Sequence, residues 1–263
     1  MTTTADILKY LETIAPTSMK EDWDRVGLNC GHMDKPVRRI LVALDPFAQV
    51  CQEAKAVGAD LLITHHALLW TPGFITDQDE QGRNALFLIE NGIAVINAHT
   101  NLDQAPGGVN DILAAKLGLQ DIQVIDPKGV DKDGNPWGLL RQGKVVKQEL
   151  PQFLALVKNV LGCDGLRYVD GGKPVRRVAV GGGACASEMA LAVQAGCDTF
   201  VTADVKYNQF WDAKALGLNL IDAGHFHTEN PVCRYLVNKL REAFPDITVT
   251  MSTNHTDCAK FFQ

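Results

Sequence analysis

The sequence predicts an α/β protein built from two similar α/β/α halves with largely parallel sheets, related by internal duplication. Three observations lead there. Short β-branched runs alternate with amphipathic helical stretches, a long segment beginning at Arg39 reappears from Arg177, and most of the histidines cluster just past predicted strands.

Ile7, Leu8, Leu11 and Ile14 fall on one face of an opening helix. Residues 40–44 then read as a buried strand, 47–57 as a helix, 60–64 as a strand, 84–90 as a helix and 93–98 as a strand. This rhythm implies right-handed crossovers and a sheet covered on both faces. The Gly-, Pro- and Asp-rich run DPKGVDKDGNP at residues 126–136 reads as a linker or exposed hairpin and marks a domain boundary.

RILVALDPFAQVCQEAKAVGADLLIT, from Arg39, lies without gaps over RVAVGGGACASEMALAVQAGCDTFVT, from Arg177. Val42 meets Val180, Ala54 meets Ala192, Gly58 meets Gly196, Asp60 meets Asp198 and Thr64 meets Thr202. One strand later, IAVINAH from Ile93 lies over LNLIDAG from Leu218. Ligands in open parallel sheets bind beyond the carboxyl ends of strands, so functional residues are expected there in each half.

Composition narrows the function classes. With 46% apolar and 21% charged residues, the 263-residue chain reads as globular rather than disordered. A net charge of −6 opposes a general polyanion-binding surface, so DNA ranks low as a partner. The start lacks a basic, then apolar, leader pattern, and no run suggests a membrane span, so a cytoplasmic protein is expected. Seven scattered cysteines without a Cys-x-x-Cys pair read as reduced thiols and exclude a cysteine zinc site.

The chemistry gathers at strand ends. His65 and His66 follow DLLIT; His99 and, four residues on, Asp103 follow IAVINA; His225 and, four residues on, Glu229 follow LNLIDAG. Each cluster alone has a bland reading, as solvated loop residues, a stabilised turn or a helix-terminal contact. Together they fit one site, and imidazoles with carboxylates form the ligand set of Zn, Mn, Fe, Ni or Co. So many strong ligands suit two divalent metal ions sharing a carboxylate, with Glu229 the natural bridge. Ala203 and Asp204 stand where the first half has His65 and His66, so one centre per chain is expected. Gly181, Gly182 and Gly183 offer either a phosphate cradle or tight strand-to-helix packing. Trp23 and Arg25, in DWDRVGL, fit a pocket mouth or an ordinary buried loop. Asp45 and His99 are expected to serve as orienting or proton-transfer groups of the catalytic machinery.

THHALLW, AHTNLD and GHFHTE, with DWDRVGL and LVALD ahead of them, resemble the NIF-like dinuclear-metal hexameric proteins, also named the GTP cyclohydrolase I type 2 family. The resemblance spans essentially the whole chain. It implies metal ligation by His65, His66, Asp103, His225 and Glu229, with Glu229 bridging, and leaves out His227. It also implies a homohexameric toroid and two α/β domains: residues 1–125 with a returning segment, 220–263, and residues 126–219. Arg25 and Ala67 stand where the family more often has Asn and Pro. The expected function is a dinuclear-metal-dependent hydrolase acting on a small nucleotide-like or phosphorylated compound, GTP ring opening being one version. A non-enzymatic metal-binding hexameric scaffold is the alternative.

Overall fold

The β-branched runs become strands whose alternate residues are buried on both faces of a sheet. In the computed structural model, which describes residues 1–70 and 73–262, the chain forms two compact units. The first comprises Met1–Leu102 and Val232–Thr256, and the second Asp103–Pro231 with the residues from Asp257 onward.

The first unit runs α1 (Thr4–Ile14), β1 (Gly27–Cys30), β2 (Arg39–Ala43), α2 (Ala48–Ala56), β3 (Leu61–Thr64), α3 (Glu80–Glu90) and β4 (Ala94–Asn97). Helix α4 (Thr100–Gln104) crosses the unit boundary. The second unit continues with α5 (Val109–Lys116), β5 (Gln120–Ile125), β6 (Gly129–Val130), β7 (Pro136–Trp137), β8 (Leu140–Gln148), α6 (Leu150–Leu161) and β9 (Arg167–Val169). It is completed by β10 (Val175–Val180), α7 (Met189–Gln194), β11 (Thr199–Thr202), α8 (Tyr207–Leu216), β12 (Asn219–Asp222) and α9 (His225–Glu229). Helix α10 (Pro231–Ala243) leads back to β13 (Thr248–Met251) in the first unit.

Strand order in the first sheet is β1-β4-β3-β2-β13, parallel except for β1. The second sheet, β5-β8-β10-β11-β12-β9, has a parallel centre of β10, β11 and β12 with antiparallel flanks. The connection from β5 to β8 holds the β6–β7 hairpin and no helix, and those strands meet antiparallel. Val178 and Val180 pack with α5 and α6 residues such as Leu113 and Phe153, whereas Ala179 joins Phe200 and Leu220 beneath α7 and α8. That period-two division is what a sheet covered on both faces requires.

The duplication is visible in matched local contacts. Asp60 Oδ2 accepts from the Arg38 and Arg39 amides at 2.8 and 3.0 Å, and Asp198 Oδ2 from those of Arg176 and Arg177 at 3.1 and 2.8 Å. Arg39 donates to Val57 O as Arg177 does to Ala195 O. Gly58 and Gly196 take left-handed φ of +66° and +78° at the same helix exit. Helix α3 starts four residues before the expected 84, because Asp79 caps it through the Gly82 amide at 2.7 Å and its first turn carries no apolar signal.

The units divide elsewhere than the expected residue 125. Residues 103–125 belong to the second unit because β5 pairs with β8, and β12 stays there because it pairs with β11. The return to the first unit therefore begins at Val232 and not at residue 220. Segment 126–136 holds the β6–β7 hairpin inside the second unit. Among the described residues, no helix is long and apolar enough to cross a membrane.

Arg141 is 1% exposed and ties the start of the second unit together. It forks onto Asp111 at 2.7 and 3.0 Å and donates to the carbonyls of Gly138, Gln104 and Ala105. Replacing it with Met strands those acceptors, and Arg141→Met should lower unfolding free energy by about 3–5 kcal/mol in a denaturant titration.

Candidate metal centre

In the first unit, β3 ends at Thr64 and the chain turns sharply. The amides of His65 and His66 both donate to Leu44 O, at 3.2 and 2.9 Å, and Thr64 Oγ1 donates to His66 O at 2.7 Å. Asn29 accepts from the Leu68 amide at 2.8 Å and donates to Asn97 Oδ1 at 2.8 Å. The loop is thus pinned from β1, β2 and β4. His99 leaves the end of β4 immediately beside it.

His65, His66 and His99 can each present a ligand nitrogen with all three within 4.8 Å of one another. The rings of His65 and His66 are held at Nδ1 by an oxygen acceptor, and that of His99 faces a carboxylate. His65 Nδ1 donates to Ala98 O at 2.8 Å and His66 Nδ1 to Asp45 Oδ1 at 2.6 Å, while His99 Nδ1 lies 3.0 Å from Asp24 Oδ2. The two hydrogen bonds place the hydrogen on Nδ1 and the lone pair on Nε2 in His65 and His66, the arrangement found around bound metals. Asp24 also accepts from the Thr100 amide and hydroxyl, at 3.0 and 2.6 Å. Burial would raise its carboxyl pKa, but the bonds from His99 and Thr100 win and hold it well below the usual range. Asp45 behaves likewise, burial being outweighed by bonds from His255 and His66.

The second unit brings Asp103, His225 and Glu229 into one region. His225 and Glu229 share the single turn of α9, with His225 Nε2 2.9 Å from Glu229 Oε2. His225 Nδ1 donates to Asp204 Oδ2 at 2.7 Å. Burial alone would lower the His225 pKa, but the bonds to Asp204 and Glu229 raise it to about 11. Asp103 and Glu229 carboxylate oxygens lie within 4.8 Å of each other, and both residues are buried. Cys185 registers their charge: burial first, then Asp103 and Glu229, push its thiol well above the ordinary range. Such a potential suits a cation.

The residues fit divalent ions of the borderline transition group, whose ligands are imidazole nitrogen and carboxylate oxygen. Backbone packing agrees. Gly183 takes φ +63°, and a Cβ there would stand 2.1 Å from Glu229 Oε1 and 3.1 Å from His225 Nε2. The glycine run is therefore a close approach to the ligand pair. It is not a phosphate cradle, because the amides of Gly181, Gly182 and Gly183 donate to Val201 O, Asn110 Oδ1 and Thr228 Oγ1.

The expected ligands thus divide between the units, His65 and His66 in the first and Asp103, His225 and Glu229 in the second. Three residues around them escaped the sequence reading. Asp24 lies in the DWDRVGL motif, and Asp204 is the counterpart of His66 in the second repeat. His255 sits beside Asp45, and no local signal could have placed it there. Trp23 is 66% exposed and meets His99 edge-on at 5.9 Å, so it is not the buried tryptophan of the alternative expectation. A cleft of about 420 Å³ opens beside His66, with Asp45, Phe47, Trp70, Glu80 and Asn84 in its wall.

A duplicated α/β protein with metal-type imidazole and carboxylate sets at its strand ends is the class these features define. The pattern of the Duf34/NIF3 (NGG1p interacting factor 3) family matches residues 2–258, and the chain belongs to that family. It is 35% identical to a Clostridium perfringens "GTP cyclohydrolase 1 type 2 homolog" over 97% of this chain and 98% of the relative. A solved Bacillus cereus protein related to NIF3 superposes with a TM-score of 0.93 at 26% identity, covering 100% of this chain and 99% of that one. A hypothetical protein of Staphylococcus aureus gives 0.91 at 30% identity, with 99% of each chain covered.

Two outcomes test the geometry. Gly183→Ala should weaken metal retention at least tenfold on dialysis against a chelator, as displaced Glu229 loses its place. Metal-free His225 keeps its proton at pH 7–9, since its pKa rises from 6.5 to about 11. Metal uptake should then release about one proton from it, read by calorimetry in buffers of different ionisation enthalpy. The sign for stability follows: the His225 contribution in the metal-free protein is complete below pH 6.5 and is lost as pH rises through about 11.

Proposed function

We propose that the chain is a dinuclear-metal-dependent hydrolase of a small nucleotide-like or phosphorylated compound, with GTP ring opening one version of that reaction. The observation that carries the reading is the Nδ1 anchoring of His65, His66 and His225, which orients imidazoles for metal and not for solvent. His65, His66, Asp103, His225 and Glu229 would hold two divalent ions, Glu229 bridging. When bound, the ions lower the pKa of water and polarise the attacked centre.

The remaining groups act through this chain's own chemistry. His99, fixed by Asp24, offers Nε2 to accept a proton from the attacking water and return it to the leaving atom. Asp45 holds His66 at Nδ1 and is the orienting carboxylate of the site. Among the described residues the cleft beside His66 carries the carboxylates of Asp45, Asp79 and Glu80 and no Lys or Arg in its wall, so it suits the ring portion of a substrate better than its phosphate. A homohexamer, as the family resemblance implies, in the cytoplasm, as the leader and cysteine patterns suggest, completes the proposal.

Metal content per chain, measured by mass spectrometry alongside chromatographic GTP turnover, tests it. About two ions with metal-dependent loss of GTP is the expected result. Two ions without turnover of GTP or other nucleotides would favour a metal-holding scaffold, and no stoichiometric metal after reconstitution would sink the centre. Glu229→Ala should drop the content to one ion or none while the fold persists. His99→Gln should keep both ions and lose turnover about 10²–10⁴-fold. Loss of an ion in that variant would make His99 a ligand instead.

A further inference from the structure

The most remote part of the sequence reaches the candidate centre through a chain of hydrogen bonds. After β13, residues 252–254 are gripped by Glu53 of α2, itself 9% exposed. Its carboxylate accepts from Ser252 Oγ at 2.5 Å, from the Thr253 amide and hydroxyl at 2.9 and 3.0 Å, and from the Asn254 amide at 3.2 Å. Four donors on one carboxylate fix three consecutive residues, and with them the direction in which His255 leaves the chain.

His255 has a side chain only 5% exposed, with its ring against Phe47 in an edge-to-face contact at 5.8 Å. Its Nε2 donates to Asp45 Oδ2 at 2.7 Å, while Asp45 Oδ1 accepts from His66 Nδ1 at 2.6 Å. A carboxylate bonded through one oxygen can still swing about its broad Cβ–Cγ torsion. A second donor on the other oxygen, from a ring that is itself clamped, stops that motion.

We propose that His255 is a positioning residue for the metal ligand His66: by occupying the second oxygen of Asp45 it fixes the carboxylate plane, and so the tautomer and aim of the His66 ring. This inference rests on the metal-centre reading above. It makes the C-terminal segment, held by Glu53, part of the equipment that sets metal affinity.

Zinc affinity by competition with a chromogenic chelator, in His255→Phe and His255→Gln, tests the proposal. His255→Phe should lose about tenfold or more in affinity for a bound ion, whereas His255→Gln, which keeps an N–H donor, should stay within about threefold of the parent. A second readout needs no metal. In metal-free protein with ¹⁵N-labelled histidine, His66 should show the Nδ1–H tautomer in the parent and in His255→Gln, and a mixture in His255→Phe. Parent-like affinity and a single His66 tautomer in His255→Phe would overturn the proposal. Equal weakening of both variants with a common fall in Tm would also overturn it, leaving His255 a packing role. A parent protein that holds no zinc would refute the metal centre itself, while the tautomer comparison would still decide what His255 does.

Discussion

An imidazole serves a metal only if one nitrogen keeps its lone pair in a fixed direction, and in this chain that condition is met by gripping the other nitrogen. His65, His66, His99 and His225 each present Nδ1 to a carbonyl or carboxylate oxygen within 3.0 Å. The acceptors come from different places in the chain: Ala98 at the end of β4, Asp45 beyond β2, Asp24 in the loop before β1, and Asp204 beyond β11. Each unit's sheet must therefore form before its imidazoles are aimed. The carboxyl ends of neighbouring parallel strands are the one edge where such residues converge without leaving the secondary structure.

The duplicated framework explains how this edge was built twice and used differently. The Asp60 and Asp198 carboxylates tie strand to crossover in the same way in each unit. A five-residue helix follows the third strand of each repeat, as α4 and α9. Yet position 66 is an imidazole, whereas its counterpart, position 204, is a carboxylate that orients an imidazole. Asp204 takes φ +51°, a conformation Asp tolerates better than most residues, and its neighbour Val205 is held through its amide by Asp222 at 3.1 Å. The second repeat kept the geometry of the strand end and exchanged the role of the residue there. Gly182 and Gly183 belong to the same strand end, and their missing side chains leave room for Glu229 and, at Gly183, for His225.

Much of the fold was legible because its signals are local. The β2, β3 and β4 runs are short, β-branched and buried on both faces, and their observed ends fall within a residue or two of the expected ones. The start of α3 and the unit boundary were less legible. A polar first turn capped by Asp79 leaves no hydrophobic period to read, and the boundary at residues 102–103 lies inside a helix, where composition does not change. The Gly- and Pro-rich segment 126–136 marked a hairpin, which has the same turn chemistry as a linker.

By itself, the sequence determined that two α/β repeats exist and that chemistry-bearing residues follow their strands. Those are matters of periodicity and spacing, which survive in one dimension. Only the tertiary structure decided how each imidazole is oriented. Asp24, Asp45 and Asp204 are separated from their histidines by 21 to 75 positions, and His255 lies 210 positions from Asp45. A hydrogen bond between such residues leaves no local pattern, because its geometry is created by the packing of strands and the return of β13, not by the order of neighbours along the chain.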